Sequence, residues 1–465
     1  MAHREVRQRV RGLRGVERGG ARFRGLDANL RVRLGPSSDP GGGWMSTTRE
    51  QGELNMEFGQ RADWRPTRAA GLDRLRRFLP RAGSAYAQKR NFDLGPLDRS
   101  NVSALSPAIR HRLVLEEEVL RETLAVHSLD AADKFVQEVI WRSYFKGWLE
   151  HHPRVWSKYE RERDALIARL AHDGALRADF ENATNGKTGL ACFDAWAHEL
   201  VSTGYLHNHA RMWFASIWVY TLRLPWPLGA DFFLRHLLDG DPASNTASWR
   251  WVCGLHTPGK TYLARAANID RFTLGRFRPE GKLATTAPPM DEPSIGPIEP
   301  LASPASIPSE EPYALLVTEE DCHPESLDLP TPPCAVLGLT DVGQYSPLGR
   351  GDQARAFARG AVEDALERSK VPFSIRPALV ESDRAEADLI ETMRAQGLRN
   401  IVTAYAPVGP TADWLGRVIH RWNDAGLRLI QVRRPYDSLI WPHSTRGFFP
   451  LKKKIPDFVQ ALGIA

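Results

Sequence analysis

Cysteine is scarce in this sequence, and no two cysteines form a CxxC pair. The four that occur are scattered, at Cys192, Cys253, Cys322 and Cys334. This spacing argues against a disulfide framework and gives no support for a zinc or iron–sulfur site. No run of about 18 apolar residues without charges is present either. We therefore expect a cytoplasmic protein with no metal centre and no membrane span.

Outside its first residues, the chain also lacks an excess of charge of either sign. Residues 1–44 hold ten arginines and four acidic residues, which accounts for the whole net charge of +6. This segment lacks the apolar stretch of a signal peptide, and its composition fits a transit peptide poorly. We expect residues 1–44 to be a disordered tail, or the product of a start codon chosen too far upstream. Met45 or Met56 would then be the true start.

The pattern of apolar residues divides the rest of the chain into two parts. Residues 45–278 have helical periodicity and lack strand signals, which predicts an all-α domain. Residues 279–312 contain nine prolines and no apolar period, as is typical of a linker. After the linker, short apolar runs alternate with helical patterns, which predicts a smaller parallel α/β domain at 313–465. The expected strands are 314–317, 335–339, 401–405 and 427–432, and the expected helices are 353–369 and 383–396.

The most unusual stretch is 237–254, LLDGDPASNTASWRWVCG. Asp239 and Asp241 follow an aromatic-rich region with few charges, so both carboxylates need partners beside a core. Arg211 is one candidate partner. This mixture of carboxylates, asparagine and tryptophans predicts a functional site.

Three further features each have a simple structural explanation and a functional one. On the helix predicted at 130–149, Glu138, Trp141 and Arg142 share one face. They form a ligand site or a structural ion pair, and the spacing alone favours the pair. The loop 93–107 has hydroxyl side chains that suit a phosphate or simply cap a helix. The lysines at 452–454 are a phosphate contact or, more simply, a solvated charge run.

Several motifs, in order, resemble the flavin-binding catalytic domain of the DNA photolyase and cryptochrome family. The resemblance covers about residues 64–278 and rests on YAQKRN, NVSALSP, FVQEVIWRSYF, GKTG, STGYLHNHARMWFAS and DGDPASNTASWRW. It implies an all-α FAD-binding photolyase-like domain followed by a smaller α/β (Rossmann-like) domain. Family members ordinarily begin with an α/β antenna domain. Here the closing part of the region after the linker resembles the later half of such a domain, which implies a permuted or relocated antenna-like domain. The alternative is a structural module that packs on the flavin domain.

The resemblance also implies roles for individual residues. It assigns FAD binding to Tyr86, Ser103, Leu105, Ser106, Arg142, Arg211, Asp239, Asp241 and Asn245. It assigns contact with a DNA lesion to Glu138, Trp141, Asn208, Met212 and Trp251. Trp249 and Trp226 match the first two members of an electron relay. The third tryptophan, expected near Asp173, is absent, so photoreduction would use another exit, such as Trp218, Trp213 or Tyr220, or would be poor. Core packing is the alternative role for each of these aromatic residues.

The implied activity is light-driven repair of cyclobutane pyrimidine dimers in DNA by reduced FAD. Asparagine at position 245 and methionine at 212 favour repair within this family. The alternative is a cryptochrome-like blue-light sensor without repair activity. We expect a monomer whose partner is dimer-containing DNA. The identity of any second, antenna chromophore stays open.

Overall fold

The described part of the chain is residues 64–464, apart from 344 and 381–383, in a computed structural model. The tail expected at 1–44 and both candidate start residues lie outside the described residues. All described residues belong to one compact unit. In the described part of the chain, no helix is long and apolar enough to cross a membrane.

Helices make up the described residues as far as Phe272. They are α1 (Arg68–Phe78), α2 (Ser84–Lys89), α3 (Ser106–Arg110), α4 (Glu116–Val126), α5 (Leu129–His151), α6 (Pro153–Leu170), α7 (Gly174–Thr184), α8 (Ala191–Thr203), α9 (Asn208–Ser216), α10 (Trp226–His236), α11 (Pro242–Val252) and α12 (Ala266–Phe272). A π-helix, Ile217–Thr221, extends α9, and a 3-10 turn, Leu79–Arg81, follows α1.

Helix α5 is the centre of the helical part. Its start is fixed by Ser128, whose side chain accepts a hydrogen bond from the Ala131 amide at 3.3 Å. Asp130 in the first turn is favourable next to the positive end of the helix dipole. Most of its residues from Phe135 onward are buried, as expected for a helix surrounded by other elements. Helices α2, α4 and α11 pack directly on it.

A five-stranded parallel sheet begins after the linker. Its elements are β1 (Tyr313–Thr318), β2 (Ala335–Leu339), α13 (Asp352–Phe373), β3 (Ala378–Val380), α14 (Ala385–Ala395), β4 (Asn400–Ala404), α15 (Pro410–Asp424) and β5 (Arg428–Val432). The strand order is β3-β2-β1-β4-β5, and Leu315 aligns with both Val336 and Val402. Three short helices close the chain: α16 (Pro435–Ile440), α17 (Phe448–Lys452) and α18 (Ile455–Ala461).

The expected fold class, an all-α domain followed by a parallel α/β domain, is therefore confirmed. Strand β3 was not expected, because this edge strand has only three residues and its first is exposed. The two parts are joined by the proline-rich segment, which lies along the helical part. The Met290 amide donates to the Cys253 carbonyl at 3.0 Å, and the Glu299 amide donates to the His151 carbonyl at 2.9 Å.

The two parts meet at the carboxyl ends of β1 and β4. In doubly wound sheets this reversal of strand order leaves a crevice that commonly holds a ligand. Here the helical part fills it: Arg110 donates to Glu320 just after β1, and Pro242 lies against Gly409 just before α15. A Cβ atom on Gly409 would lie only 2.7 Å from the Pro242 Cγ, so the glycine permits this close approach.

Candidate functional site

The stretch singled out by its composition forms the amino-terminal end of α11. Asp241 caps the helix by accepting a hydrogen bond from the Ser244 amide at 2.9 Å, and Pro242 occupies the first turn. Asp239 accepts a hydrogen bond from Arg211 Nη2 at 3.0 Å. The expected pairing of Asp239 with Arg211 is thus present. Both carboxylates are buried, so each depends on these polar partners.

Asp241 is surrounded by basic side chains from two other helices. Lys146 Nζ lies 2.9 Å from Asp241 Oδ2, while the nearest nitrogens of Arg110 and Arg142 lie 3.8 Å from the same oxygen. Glu320, from the α/β part, accepts two hydrogen bonds from Arg110 at 2.7 and 2.8 Å. Lys146 lies 3.8 Å from the same glutamate. We call these five side chains the buried charge cluster; with the basic residues charged, it carries one more positive than negative charge.

Neighbouring basic side chains keep Asp239 and Asp241 ionised. Burial raises the pKa of Asp239, but Arg211 and then Arg142 outweigh burial, and the net pKa is below its ordinary value. Burial acts in the same direction on Asp241, where Lys146, Arg110 and Arg142 hold the pKa well below the usual range. The site therefore contains two ionised carboxylates, Asp239 and Asp241, surrounded by positively charged side chains.

Three buried polar atoms at this site have no hydrogen-bond partner within the described residues: the donor Arg142 Nη1 and the acceptors Asp239 Oδ1 and Asp241 Oδ2. A buried unpaired donor and acceptor cost free energy unless a ligand or water satisfies them. An anionic ligand that carries hydrogen-bond donors would satisfy both kinds of atom. FAD has this character, since its pyrophosphate is anionic and its flavin ring and ribitol chain carry donors. The residues present therefore fit FAD.

Glu138 belongs to a second cluster, formed with side chains from α2 and from the residue that follows it. It accepts hydrogen bonds from the Tyr86 hydroxyl and from Arg90. Burial raises the pKa of Glu138, while Arg90 and Tyr86 oppose this rise. The structural pair of Glu138 with Arg142 favoured by the spacing was wrong, because Arg142 lies beside Asp241 instead. Helical spacing shows which residues share a face, but the partners come from other helices.

The two tryptophans expected at a lesion each stack on another ring. Trp141, 40% exposed, lies parallel to Phe448 with ring centroids 4.5 Å apart and an interplanar angle of 3°. Trp251 stacks on Tyr262 at 5.6 Å. Tyr262 also lines a surface cavity of about 700 Å³ with His209 and Arg265. Trp141 and Trp251 have no ring contact with each other in the described part of the chain.

The remaining predicted residues lie on three elements. Asn208 begins α9, and Met212 follows one turn later, next to Arg211. Ser106 begins α3. Burial raises the pKa of Asp239, Arg211 and Arg142 lower it, and a hydrogen bond from the Ser106 side chain lowers it by a smaller amount. Ser103 and the buried Leu105 precede it in the same loop, where the Leu105 amide donates to Ser103 Oγ at 3.4 Å. Asn245 Nδ2 donates to the Ala230 carbonyl at 2.8 Å.

Residues 135–283 match the family model described as the FAD binding domain of DNA photolyase. The deoxyribodipyrimidine photo-lyase of one Thermus thermophilus strain is 32% identical over 281 residues, which are 60% of this chain and 62% of that protein. The Synechococcus photo-lyase is 30% identical over 202 residues, 40% of this chain and 38% of that protein. The sequence of this helical part supports membership of the DNA photolyase/cryptochrome family.

The match to solved structures is partial. The class III photolyase of Agrobacterium tumefaciens is 28% identical, covers 47% of this chain and 44% of its own, and superposes with a TM-score of 0.39. Against its curated relatives the chain likewise spans only part of their length, between 35% and 62%. Family membership therefore rests on the sequence of the helical part.

The ring contacts of Trp249 bear on the expected electron relay. Trp249 meets Trp218 edge to face at 6.2 Å and Phe233 at 5.1 Å. Trp226 instead stacks on Tyr159 at 5.7 Å. The ring contact of Trp249 thus runs toward Trp218, one of the alternative exits. The relay through Trp226 stays a prediction.

Sequence reasoning missed four charged residues of the site: Arg90, Arg110, Lys146 and Glu320. Lys146 had a usable signal, because it lies four residues after Arg142 on α5 and so shares its face. Arg110 is the last residue of α3, where a basic residue is also an ordinary helix end. Glu320 had no local signal, since its basic partners lie more than 170 positions away.

Proposed function

We propose that this protein is a light-driven DNA repair flavoprotein that splits cyclobutane pyrimidine dimers. The observation that carries the proposal is the buried Arg142 Nη1, which lies 3.8 Å from Asp241 but has no hydrogen-bond partner within the described residues, in a helical part similar to that of photolyases. Reduced FAD supplies, when bound and excited by blue light, the electron that opens the cyclobutane ring. The chain's own residues bind, orient and shield the reacting groups.

Binding and orientation of FAD are the task of the residues around α11. Arg142 and the hydroxyls of Ser103 and Ser106 bind the anionic phosphates. The phosphates offset the excess positive charge of the buried charge cluster. Asp239, held by Arg211, accepts hydrogen bonds from the flavin ring. Asn245 lies on the first turns of α11 and presents its side-chain amide to the ring. Of these partners Asp239 and Asn245 are buried, which would limit the access of water to the flavin ring.

Recognition of the dimer is the task of the aromatic residues on the outer side. Trp141 and Trp251 stack on the joined pyrimidines after the dimer has left the duplex. Glu138 hydrogen-bonds a pyrimidine edge, and burial raises the pKa of its carboxyl group. Asn208 and Met212 complete this pocket. The protein acts as a monomer in the cytoplasm, where its four free cysteines stay reduced.

The alternative function is a blue-light sensor that binds FAD without repairing DNA. One observation favours it: Phe448 covers one face of Trp141, which would otherwise be open to a base. A sensor would show light-dependent change at this contact and no loss of dimers.

The pocket assignment is tested with Trp251→Ala and Glu138→Gln in the full chain. We expect both variants to bind FAD at the wild-type ratio but to repair a dimer-containing oligonucleotide more slowly under blue light. Trp251→Phe is the matched control, because it keeps a stacking ring and should retain most of the rate. Wild-type rates in Trp251→Ala and Glu138→Gln would overturn the pocket assignment.

A further inference from the structure

We propose that residues 446–454, at the end of the α/β part, form a second DNA-contacting element beside Trp141. We call this stretch the rim segment. In it, Phe449 stacks on an unpaired base and the lysines bind the phosphates of the strand that carries the dimer. The inference rests on the proposed function, since it names DNA as the ligand, but it assigns the contact to a different part of the chain.

The rim segment is fixed next to the predicted lesion pocket by one ring. Phe448 stacks on Trp141 with nearly parallel planes, and its edge meets Tyr144 at 5.5 Å. Phe448 and the following Leu451 are buried, so the segment is anchored in the core. Because Trp141 remains 40% exposed, a base can still approach it beside the segment. The rim segment and the pocket thus share one surface.

Phe449 is the adjacent residue and points away from this core. Its side chain is 78% exposed, which leaves a full aromatic face in solvent. An exposed phenylalanine has no stabilising role of its own in the fold. A stacking platform for an unpaired base requires such a ring, and stacking of this kind tolerates any base.

The charge of the rim segment is entirely positive. It contains Arg446 and Lys452, Lys453 and Lys454, with no acidic residue between them. Lys452 Nζ lies 3.8 Å from Asp133 Oδ2, which is on the same helix as Trp141, α5. Lys453 and Lys454 are exposed, and neither forms an ion pair within the described residues. Exposed lysines next to a stacking ring match the alternating phosphates and bases of a DNA strand.

The test compares the salt dependence of DNA binding in two charge-matched variants of the full chain with FAD bound. One is the triple variant Lys452→Ala, Lys453→Ala, Lys454→Ala. The control is Arg376→Ala, Arg394→Ala, Arg399→Ala, which removes three exposed charges elsewhere on the α/β part. The probe is a labelled single-stranded oligonucleotide of mixed sequence, with and without one cyclobutane dimer. Affinity is measured at several salt concentrations.

Log affinity falls as log salt rises, and we expect this slope to be shallower by about 2 in the lysine variant. Each lost phosphate contact contributes about 0.7 to the slope in single strands. The arginine control should keep the wild-type slope. Phe449→Ala should weaken binding about fivefold or more without changing the slope, since stacking does not release counterions. FAD content and the far-ultraviolet circular dichroism check that each variant is folded.

A wild-type slope in the lysine variant would overturn the inference. So would loss of binding to anionic lipid vesicles in that variant with DNA binding unchanged, which would assign the segment to a membrane surface. Repair with an unchanged slope leaves the proposed function standing and removes the inference. A lowered slope in a protein that repairs no dimers would support DNA binding by the rim segment and would overturn the proposed function. If the wild type binds neither oligonucleotide, both fall.

Discussion

Arg110 and Glu320 form a two-hydrogen-bond ion pair, at 2.7 and 2.8 Å, between the helical part and the sheet. Both side chains are buried, and Thr411 Oγ1 donates a further bond to Glu320 at 3.3 Å. Arg110 also lies 3.8 Å from Asp241, at the predicted flavin site. A carboxylate of the α/β part therefore takes part in the charge balance of the helical part's site.

Glu320→Gln removes the negative charge of this pair and leaves Arg110 and Lys146 short of a counter-ion. Breaking a buried pair in this way costs about 3 to 5 kcal/mol of unfolding free energy. We expect a loss of this size in urea unfolding, together with weaker retention of FAD, because Asp241 would be drawn toward Arg110.

The matched control is Glu386→Gln, which breaks the exposed pair of Glu386 with Arg421. Exposed pairs are screened by water, so this variant should unfold close to the wild-type denaturant concentration. Equal stability of the two variants would contradict the assigned role of Glu320.

Acid should destabilise the protein through its buried histidines, of which His207 is the clearest. Its Nδ1 accepts from the His209 amide at 3.2 Å, and its Nε2 donates to the Arg90 carbonyl at 3.0 Å, so the ring is neutral. Burial lowers the pKa of His207 from 6.5 to about 4, against the opposing attraction of Asp93. The unfolded chain therefore binds the proton first, and stability falls as pH falls from 6.5 toward 4.

His207→Asn keeps an acceptor for the His209 amide and does not titrate. We expect it to reduce the loss of unfolding free energy between pH 6.5 and 4 by on the order of 2 kcal/mol. The exposed His172 gives the control, since His172→Asn should leave the pH curve as in the wild type. A His207→Asn curve parallel to that of the wild type would contradict the neutral, buried state of His207.

Gly229 on α10 holds Trp249 in place by having no side chain. A Cβ atom there would lie 2.4 Å from Trp249 Cη2 and 2.9 Å from Trp218 Cε2. Gly229→Ala should therefore lower the free energy of unfolding by about 1 to 3 kcal/mol through overpacking. Gly416→Ala on α15 is the control, because its Cβ would meet nothing within 4 Å. That variant should gain about 0.5 to 1 kcal/mol from helix propensity, and a similar gain in Gly229→Ala would refute the packing described.

Trp218 should carry electrons to Trp249, since these two rings are in edge contact at 6.2 Å. We expect Trp218→Phe to slow light-driven reduction of oxidised FAD by an external reductant more than Trp226→Phe does. Absorption of the bound flavin under blue light measures this rate. Chemical reduction in the dark should restore repair in Trp218→Phe. Slowed reduction in Trp226→Phe alone would instead support the relay expected from the family.

The sequence predicted the elements that depend on local patterns. The apolar period of α5, the proline-rich segment and the alternation of strands and helices each arise from neighbouring residues. The pairing of Arg211 with Asp239 was also predictable, because a buried carboxylate needs a cation and the chain offered few nearby.

The contacts that sequence reasoning missed join residues far apart in the chain. Glu138 took Arg90 as its partner rather than Arg142, because α2 brings Arg90 to that side of α5. Phe448 stacks on Trp141 across more than 300 positions, and Glu320 reaches Arg110 across 210. Such pairings follow from the packing of the α/β part on α5 and leave no periodic signal in either segment.

We propose that this chain uses reduced FAD and blue light to split pyrimidine dimers. The most direct measurement follows one cyclobutane thymine dimer in a synthetic oligonucleotide, with purified full chain, FAD and a reductant, in light and in darkness. The account predicts that the dimer disappears only in the light and that one protein molecule repairs many dimers. Bound, reduced FAD and bound oligonucleotide, with the dimer intact after illumination, would contradict it.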